Sequence, residues 1–207
     1  MLFNEIKFVE DYRKFKKDET IQFDDNLTII SGDNGSGKST LIGCIRNMFD
    51  SSWSYSYNMD NNDKIIFSND FNCNNKKVFF LDSCKDVNVT GAGLDSEHKT
   101  MEDMILSVKG IKQSSGESLI YQIVHLLNNA KDADLVIIDE PEKGLSIKIQ
   151  LLLSNVISKF CLENINTQVI ITTHSEIMLN LKDTIWSTTH KKKMKTDEYI
   201  SWLYSSS

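Results

Sequence analysis

Proline, paired cysteines and long apolar runs are scarce or missing in this chain of 207 residues. The single proline is Pro141, and the four cysteines show neither a C-x-x-C pair nor a metal-ligand spacing. We therefore expect reduced thiols in a cytoplasmic protein. No segment has the run of apolar residues that a membrane span needs, and the acidic start is unlike a signal peptide, so a membrane partner is not expected.

An excess of positive charge is also missing, because the formal net charge is −6. This balance gives no electrostatic footprint for stable nucleic-acid binding, although DNA could still bind at a local basic face or through a partner. Hydrophobic residues make up 40% and charged residues 25% of the chain, as in ordinary globular proteins. The length fits a single domain over 1–207, with a polar insertion rich in Asn, Ser and Asp at about 50–77. The aromatic residues of that insertion fit either a stacking surface or one face of an edge strand.

A glycine-rich motif organises the chain. It fits the phosphate-loop pattern G-x-x-x-x-G-K-[ST] at every required position, and its residues are Gly32, Asp33, Asn34, Gly35, Ser36, Gly37, Lys38, Ser39 and Thr40. A predicted strand at 27–30 precedes it and a predicted helix at 41–49 follows, which disfavours a chance glycine-rich turn. The glycines let backbone N–H groups converge on a phosphate chain, and the helix start adds its own N–H groups. Lys38 is expected to reach the terminal phosphates and Ser39 to place its hydroxyl on Mg²⁺.

Two carboxylates end the clearest buried strand of the sequence. The aliphatic run at 135–138 is followed by Asp139 and Glu140. Ionised groups there are costly unless they face a cation or water, and the carboxyl ends of parallel strands form the ligand crevice. Asp139 is therefore predicted to coordinate Mg²⁺ through water, and Glu140 to act as general base or to orient the water. Two surface loop charges are the alternative.

A histidine and a basic pair are further candidates. His174 follows a second predicted strand at 167–173, so it points to the same crevice and can donate a hydrogen bond to the γ-phosphate; a satisfied loop histidine is the alternative. Two short predicted strands near the N-terminus suggest an antiparallel edge beside the phosphate-loop strand. Between them, Arg13 and Lys14 either reach the nucleotide or form a solvated face. The basic run at 190–193 is interpreted as a solvated tail.

Four segments, in this order, resemble the ABC-type ATPases. Gly32 to Thr40 resembles Walker A, Val136 to Glu140 resembles Walker B with its glutamate, and His174 matches the switch histidine. The remaining segment is similar to the signature motif S-G-G-[QE], with the residues Ser114, Ser115, Gly116 and Glu117. Details at 12–15, 139–142 and 171–175 look like the soluble RecF/SMC-like and "AAA family" branch, whose members often appear in DNA repair, anti-phage and toxin systems.

The resemblance implies a fold, a mechanism and partners. The fold is an α/β P-loop NTPase with a mostly parallel sheet flanked by helices, an antiparallel N-terminal β edge, and a small helical subdomain at about 85–130 that carries the signature. ATP and Mg²⁺ are the implied ligands. Two copies of the chain would clasp ATP head to tail, with Ser114, Gly116 and Glu117 of one copy against the γ-phosphate held by the other. Such a homodimer would control an effector protein, a nuclease or a toxin.

The chain also departs from the family pattern. Ser115 stands where glycine is usual, no glutamine follows the strand at 78–81 in the Q-loop region, and Asp82 is the nearest polar candidate there. The length leaves no room for a coiled-coil arm, which argues against DNA bridging. Two other functions stay open: the nucleotide-binding subunit of an ABC transporter, and a scaffold that binds ATP without turnover.

Overall fold

The computed structural model describes residues 2–24, 26–49, 65–67, 76–82 and 115–205. Strands and helices alternate along most of this part. The strands are β1 (Glu5–Phe8), β2 (Thr20–Gln22), β3 (Leu27–Ser31), β4 (Ile65–Phe67), β5 (Val78–Asp82), β6 (Leu135–Asp139), β7 (Gln168–Thr172), β8 (Thr184–Ser187) and β9 (Lys192–Lys195). The helices are α1 (Lys38–Phe49), α2 (Ser115–Asn129), α3 (Ile147–Glu163), α4 (Glu176–Leu179) and α5 (Thr196–Ser205).

The larger sheet has the strand order β5-β6-β7-β3-β8-β9, and only β9 runs antiparallel to its neighbour. The strands β3, β6 and β7 are buried along their whole length. Their aliphatic runs have this character because parallel strands in such sheets are covered on both faces. In register, Asp139 lies opposite Thr172 and Thr172 opposite Ile30, so the carboxyl ends of the three strands meet at one edge.

Alternate residues of these strands enter two separate cores. On one face of the sheet, Leu27 and Ile29 of β3 pack with residues of α2, α3, α4 and α5, together with alternate residues of β6 and β7. On the other face, Ile30 packs with α1 and the N-terminal strands, together with the remaining aliphatic residues of β6 and β7. The predicted α/β fold, with a mostly parallel sheet between covering layers, is therefore confirmed.

The N-terminal strands are antiparallel as predicted, but their position differs from the expected one. They form a separate sheet in the order β2-β1-β4, and they do not pair with β3. Both edges of β3 are already occupied by β7 and β8. The small sheet instead buries Ile6, Phe8 and Ile21 in the core that α1 shares.

The C-terminal part is more ordered than the sequence indicated. The basic run at 190–193 is not a solvated tail, because Lys192 and Lys193 begin β9, which pairs with β8. Met194 turns toward the core while the lysines of the strand stay exposed, an arrangement that suits a strand at the edge of a sheet. Helix α5 then buries Tyr199 completely, and sequence analysis did not predict this helix.

Some predictions fall outside the described residues. These include most of the insertion at 50–77 and the part of the helical subdomain that precedes Ser115. Among the helices that the structure describes, none combines the length and the apolar character of a membrane span.

Candidate functional site

The phosphate loop connects β3 to α1 at the carboxyl edge of the larger sheet. Helix α1 begins at Lys38, so the preceding glycines form the loop itself. Gly35 has φ +77° and Gly37 has φ +114°, backbone angles that residues with a Cβ rarely adopt. Gly37 also touches Phe15, because a Cβ built there would lie 2.8 Å from the phenyl ring. The loop therefore needs glycine at these positions.

A cavity of about 300 Å³ opens above this loop. The wall of the cavity is formed by the phosphate loop, the start of α1, the N-terminal turn and the residue that follows β6. The lining residues are Arg13, Lys14, Asn34, Gly35, Gly37, Lys38, Ser39, Thr40 and Glu140. The structure thus brings together most of the predicted phosphate-loop residues, the predicted basic pair and one predicted carboxylate.

Lys38 is 95% buried at the start of α1, with only 5% of its surface exposed. Its Nζ donates to the main-chain oxygens of Gly32 at 2.9 Å and Asp33 at 3.3 Å. Burial lowers the pKa of Lys38, while the negative charges of Glu140 and Asp139 act in the opposite direction. The ammonium group is therefore held inside the loop, where an entering phosphate would meet it.

Thr172, at the end of β7, contacts the carboxylate of Asp139 and the backbone of Glu140 at the end of β6. Its hydroxyl donates to Asp139 and accepts a hydrogen bond of 3.1 Å from the N–H of Glu140. The same N–H also donates to the main-chain oxygen of Thr172 at 3.1 Å. Glu140 has φ +48°, which costs free energy in a non-glycine residue and persists only where its surroundings impose it. The contacts with Thr172 impose it here.

His174 lies beside Glu140, as the sequence predicts for residues at neighbouring strand ends. Its Nε2 is 3.3 Å from Glu140 Oε1. Its main-chain N–H donates to Glu142 Oε1 at 2.6 Å, a short hydrogen bond to a charged acceptor. The second oxygen of Glu142 is buried and has no hydrogen-bond partner among the described residues. Glu142 therefore fixes the backbone of His174, a role that sequence analysis did not assign to it.

Arg13 and Lys14 form the tip of a tight turn that faces the phosphate loop. Tyr12 and Phe15 close this turn with two main-chain hydrogen bonds of 2.9 Å. Arg13 has φ +52°, and its Nη1 lies 3.4 Å from Thr40 Oγ1. Both residues line the cavity and both are exposed, so the two interpretations of the basic pair, contact with the nucleotide and a solvated face, stay open.

The remaining predicted residues can be located only in part. Ser114 lies outside the described residues, and the backbone of Ser115, Gly116 and Glu117 forms the first turn of α2. Asp82 lies opposite Asp139 in strand register, at the same edge of the sheet.

The donor atoms at this edge fit Mg²⁺. Ser39 offers a hydroxyl and Asp139 a carboxylate that is 7% exposed. Mg²⁺ typically uses one or two protein oxygens together with phosphate oxygens and water. Within the described ranges, no group of three His, Cys, Asp or Glu residues could hold a metal alone. The residues therefore suit a metal that arrives with a phosphate ligand.

Comparisons with known proteins agree with this geometry. A family model described as an AAA domain matches residues 9–205. No functionally curated protein matches the chain. Among solved structures, the ATP-binding cassette MJ1267 of an ABC transporter is similar with a TM-score of 0.62 and 17% identity, covering 99% of this chain and 96% of that one.

Two further solved structures show the same fold. A dimeric post-hydrolysis state of the ATP-binding cassette MJ0796, bound to ADP and Pi, has a TM-score of 0.57 and 16% identity over 94% of this chain and 97% of that one. The SMC head domain from Thermotoga maritima has a TM-score of 0.56 and 14% identity over 90% of this chain and 94% of that one. The resemblance of the fold to ABC-type P-loop ATPases is therefore confirmed.

Proposed function

The chain belongs to the AAA domain family, and from this premise we propose that it is an ATP-hydrolysing switch whose two copies clasp ATP head to tail. The observation that carries this proposal is the convergence of the phosphate loop, Glu140 and His174 on one edge of the sheet. Phosphate-binding N–H groups, a buried cation and a carboxylate thus border the same cavity of about 300 Å³.

Binding rests on the loop and on the basic turn. The N–H groups of the loop and of the first turn of α1 are suited to the phosphate oxygens. Lys38 would exchange the carbonyl oxygens of Gly32 and Asp33 for phosphate oxygens. We assign Arg13 to the same ligand, because its guanidinium is held beside Thr40 at the cavity wall.

Hydrolysis rests on Glu140. Its carboxylate is placed to take the proton of a water molecule as that water attacks the γ-phosphate. His174 Nε2, 3.3 Å from Oε1, orients this carboxylate and is available to the γ-phosphate. Bound Mg²⁺, held by Ser39 and Asp139, would supply neutralisation of the phosphate charge.

The head-to-tail dimer follows from a second anion site. The first turn of α2 contains Gly116 and Glu117, and a helix start attracts an anion. The phosphate loop already serves the chain's own nucleotide. A symmetric pair, in which Ser114, Gly116 and Glu117 of each copy meet the ATP of the other, uses both sites.

We assign the output of the switch to a bound effector, a nuclease or toxin. The support is the likeness of 12–15, 139–142 and 171–175 to the soluble branch of the family. The similarity to transporter cassettes favours a second candidate, the nucleotide-binding subunit of an ABC transporter. Co-purification separates the two, because a transporter subunit co-fractionates with membranes whereas an effector partner is recovered from the soluble fraction of the native host.

The ATPase activity itself is tested by phosphate release from the purified protein with ATP and Mg²⁺. Lys38→Ala should abolish release, and Lys192→Ala, which alters an exposed lysine on β9, should retain it. Thermal melting of both variants checks that each is folded. A wild-type protein that binds ATP but releases no phosphate would support the scaffold and contradict the switch.

A further inference from the structure

The turn after β8 lies against the phosphate loop. Strands β3 and β8 are parallel neighbours, and Ser31 is opposite Ser187 in register. The segments that follow the two strands therefore emerge side by side. The segment after β3 is the phosphate loop. The segment after β8 begins with Thr188 and Thr189, and we call these two residues the threonine turn.

Thr188 is hydrogen-bonded both to the end of β3 and to the loop. Its N–H donates to the main-chain oxygen of Ser31 at 2.7 Å, and its hydroxyl donates to the same oxygen at 3.1 Å. Its Oγ1 also lies 2.6 Å from the hydroxyl of Ser36. Because the proton of Thr188 is directed to Ser31, Ser36 is the donor in this second bond. Thr188 thus links the end of β3 to the middle of the loop.

Thr189 pairs with a main-chain N–H of the loop itself. Its Oγ1 accepts a hydrogen bond of 2.8 Å from Asp33. The approach of the turn is close, since a Cβ built on Gly32 would lie 2.1 Å from Thr188 Oγ1. The next residues continue the contact, because Lys191 Nζ lies 3.7 Å from the centre of the Phe15 ring, which in turn packs on Gly37.

We propose that the threonine turn holds the phosphate loop in the conformation that binds the nucleotide, so that Thr188 and Thr189 are positioning residues for ATP. The inference rests on the proposed function. A loop rich in glycine loses much conformational entropy when it becomes ordered. Hydrogen bonds that order it before the ligand arrives remove part of this cost from binding. The two hydroxyls contact the loop, so they act through it.

The chain contains a matched control for this argument. Thr167 is buried whereas Thr189 is half-buried, and the hydroxyl of Thr167 donates to the main-chain oxygen of Ala133 at 2.9 Å. Thr167 and Ala133 precede β7 and β6, so this bond lies at the amino end of the sheet, opposite the phosphate loop. Thr167→Val removes a threonine hydroxyl at the amino end of the sheet, and Thr189→Val removes one at the carboxyl end.

The experiment measures ADP affinity by calorimetry for the wild type, Thr189→Val, Thr189→Ser and Thr167→Val, together with kcat for ATP. Loss of one hydrogen bond should raise the Kd of Thr189→Val about fivefold, equivalent to about 1 kcal/mol. Thr189→Ser keeps a hydroxyl and should stay within about twofold of the wild type. Values of kcat at saturating ATP should change little, and Thr167→Val should lower the melting temperature without changing the Kd.

A second measurement needs no nucleotide. Hydrogen exchange of the Asp33 amide should be faster in nucleotide-free Thr189→Val than in the wild type, and unchanged in Thr167→Val. The proposal would be overturned if Thr189→Val had the same Kd for ADP as the wild type. It would also be overturned if Thr189→Val and Thr167→Val raised this Kd by the same factor. If the wild type bound neither ADP nor ATP, the proposed function would fail, and the exchange rates would still decide whether the turn orders the loop.

Discussion

Replacement of Glu140 by glutamine tests the assignment of the general base. The backbone of residue 140 is held by hydrogen bonds to Thr172, which the substitution leaves in place. Glutamine keeps the shape of the side chain and loses its charge and its basicity. The structural cost includes the weakening of two partly exposed contacts, at 3.3 Å to His174 and 3.7 Å to Lys143. Exposed pairs of this kind contribute about 0–1 kcal/mol each to stability.

The kinetic cost should be much larger. Loss of a general base lowers turnover about 10²–10⁴-fold, which corresponds to about 3–5 kcal/mol in the activation barrier. We therefore expect kcat for phosphate release to fall by this factor while the Kd for ATP changes little. Lys143→Gln is the matched control, because it removes one partner of Glu140 and leaves the base intact; its kcat should remain within about twofold. A Glu140→Gln protein that kept more than a tenth of the wild-type kcat would refute the assignment.

Three further predictions concern other side chains. Glu142→Ala should lower kcat about tenfold with little change in KM, because it removes the charged acceptor of the His174 N–H. The kcat of Glu142→Gln should lie between those of Glu142→Ala and the wild type, and an unchanged kcat in Glu142→Ala would contradict this role. Arg13→Ala should raise the KM for ATP several-fold in the phosphate-release assay, and an unchanged KM would place Arg13 outside the site. Burial raises the pKa of Cys161 to about 11 from 9.0, so its thiolate population at pH 8 should be about 100-fold lower than in the unfolded chain. Iodoacetamide should therefore label Cys161 slowly until urea unfolds the protein, as mass spectrometry would detect, and equal rates would contradict its burial.

The raised pKa also gives a direction for stability. A thiol whose pKa is higher in the folded state than in the unfolded state favours folding below about pH 9. This contribution should decrease as the pH rises from about 9 to about 11, because the unfolded chain then releases the proton first.

The core of the site was predictable because its chemistry restricts the residue types. Phosphate binding needs glycines and a lysine at fixed spacing, and Asp139 and Glu140 end an aliphatic run that is typical of a buried parallel strand. The structure brings Lys38, Glu140 and His174 together as these patterns indicated. The roles assigned to them remain proposals until the variants are measured.

Other features depend on contacts between distant residues and leave little trace in sequence. The separate N-terminal sheet is determined by which strands already flank β3, and local patterns do not encode this. Thr188 and Thr189 are ordinary residues whose importance comes from the parallel pairing of β3 with β8. Glu142 acts through a single hydrogen bond to the backbone of His174. The signature residue Ser114 lies outside the described residues and stays a prediction.

The most direct test of the central claim is the mass of Glu140→Gln in solution, measured by light scattering with and without ATP and Mg²⁺. ATP that is bound and not hydrolysed should convert this variant from one chain to two. Adding Lys38→Ala to the same protein should prevent the conversion, because that protein cannot hold the triphosphate. A Glu140→Gln protein that binds ATP and keeps the mass of a single chain would contradict the clasp of ATP between two copies.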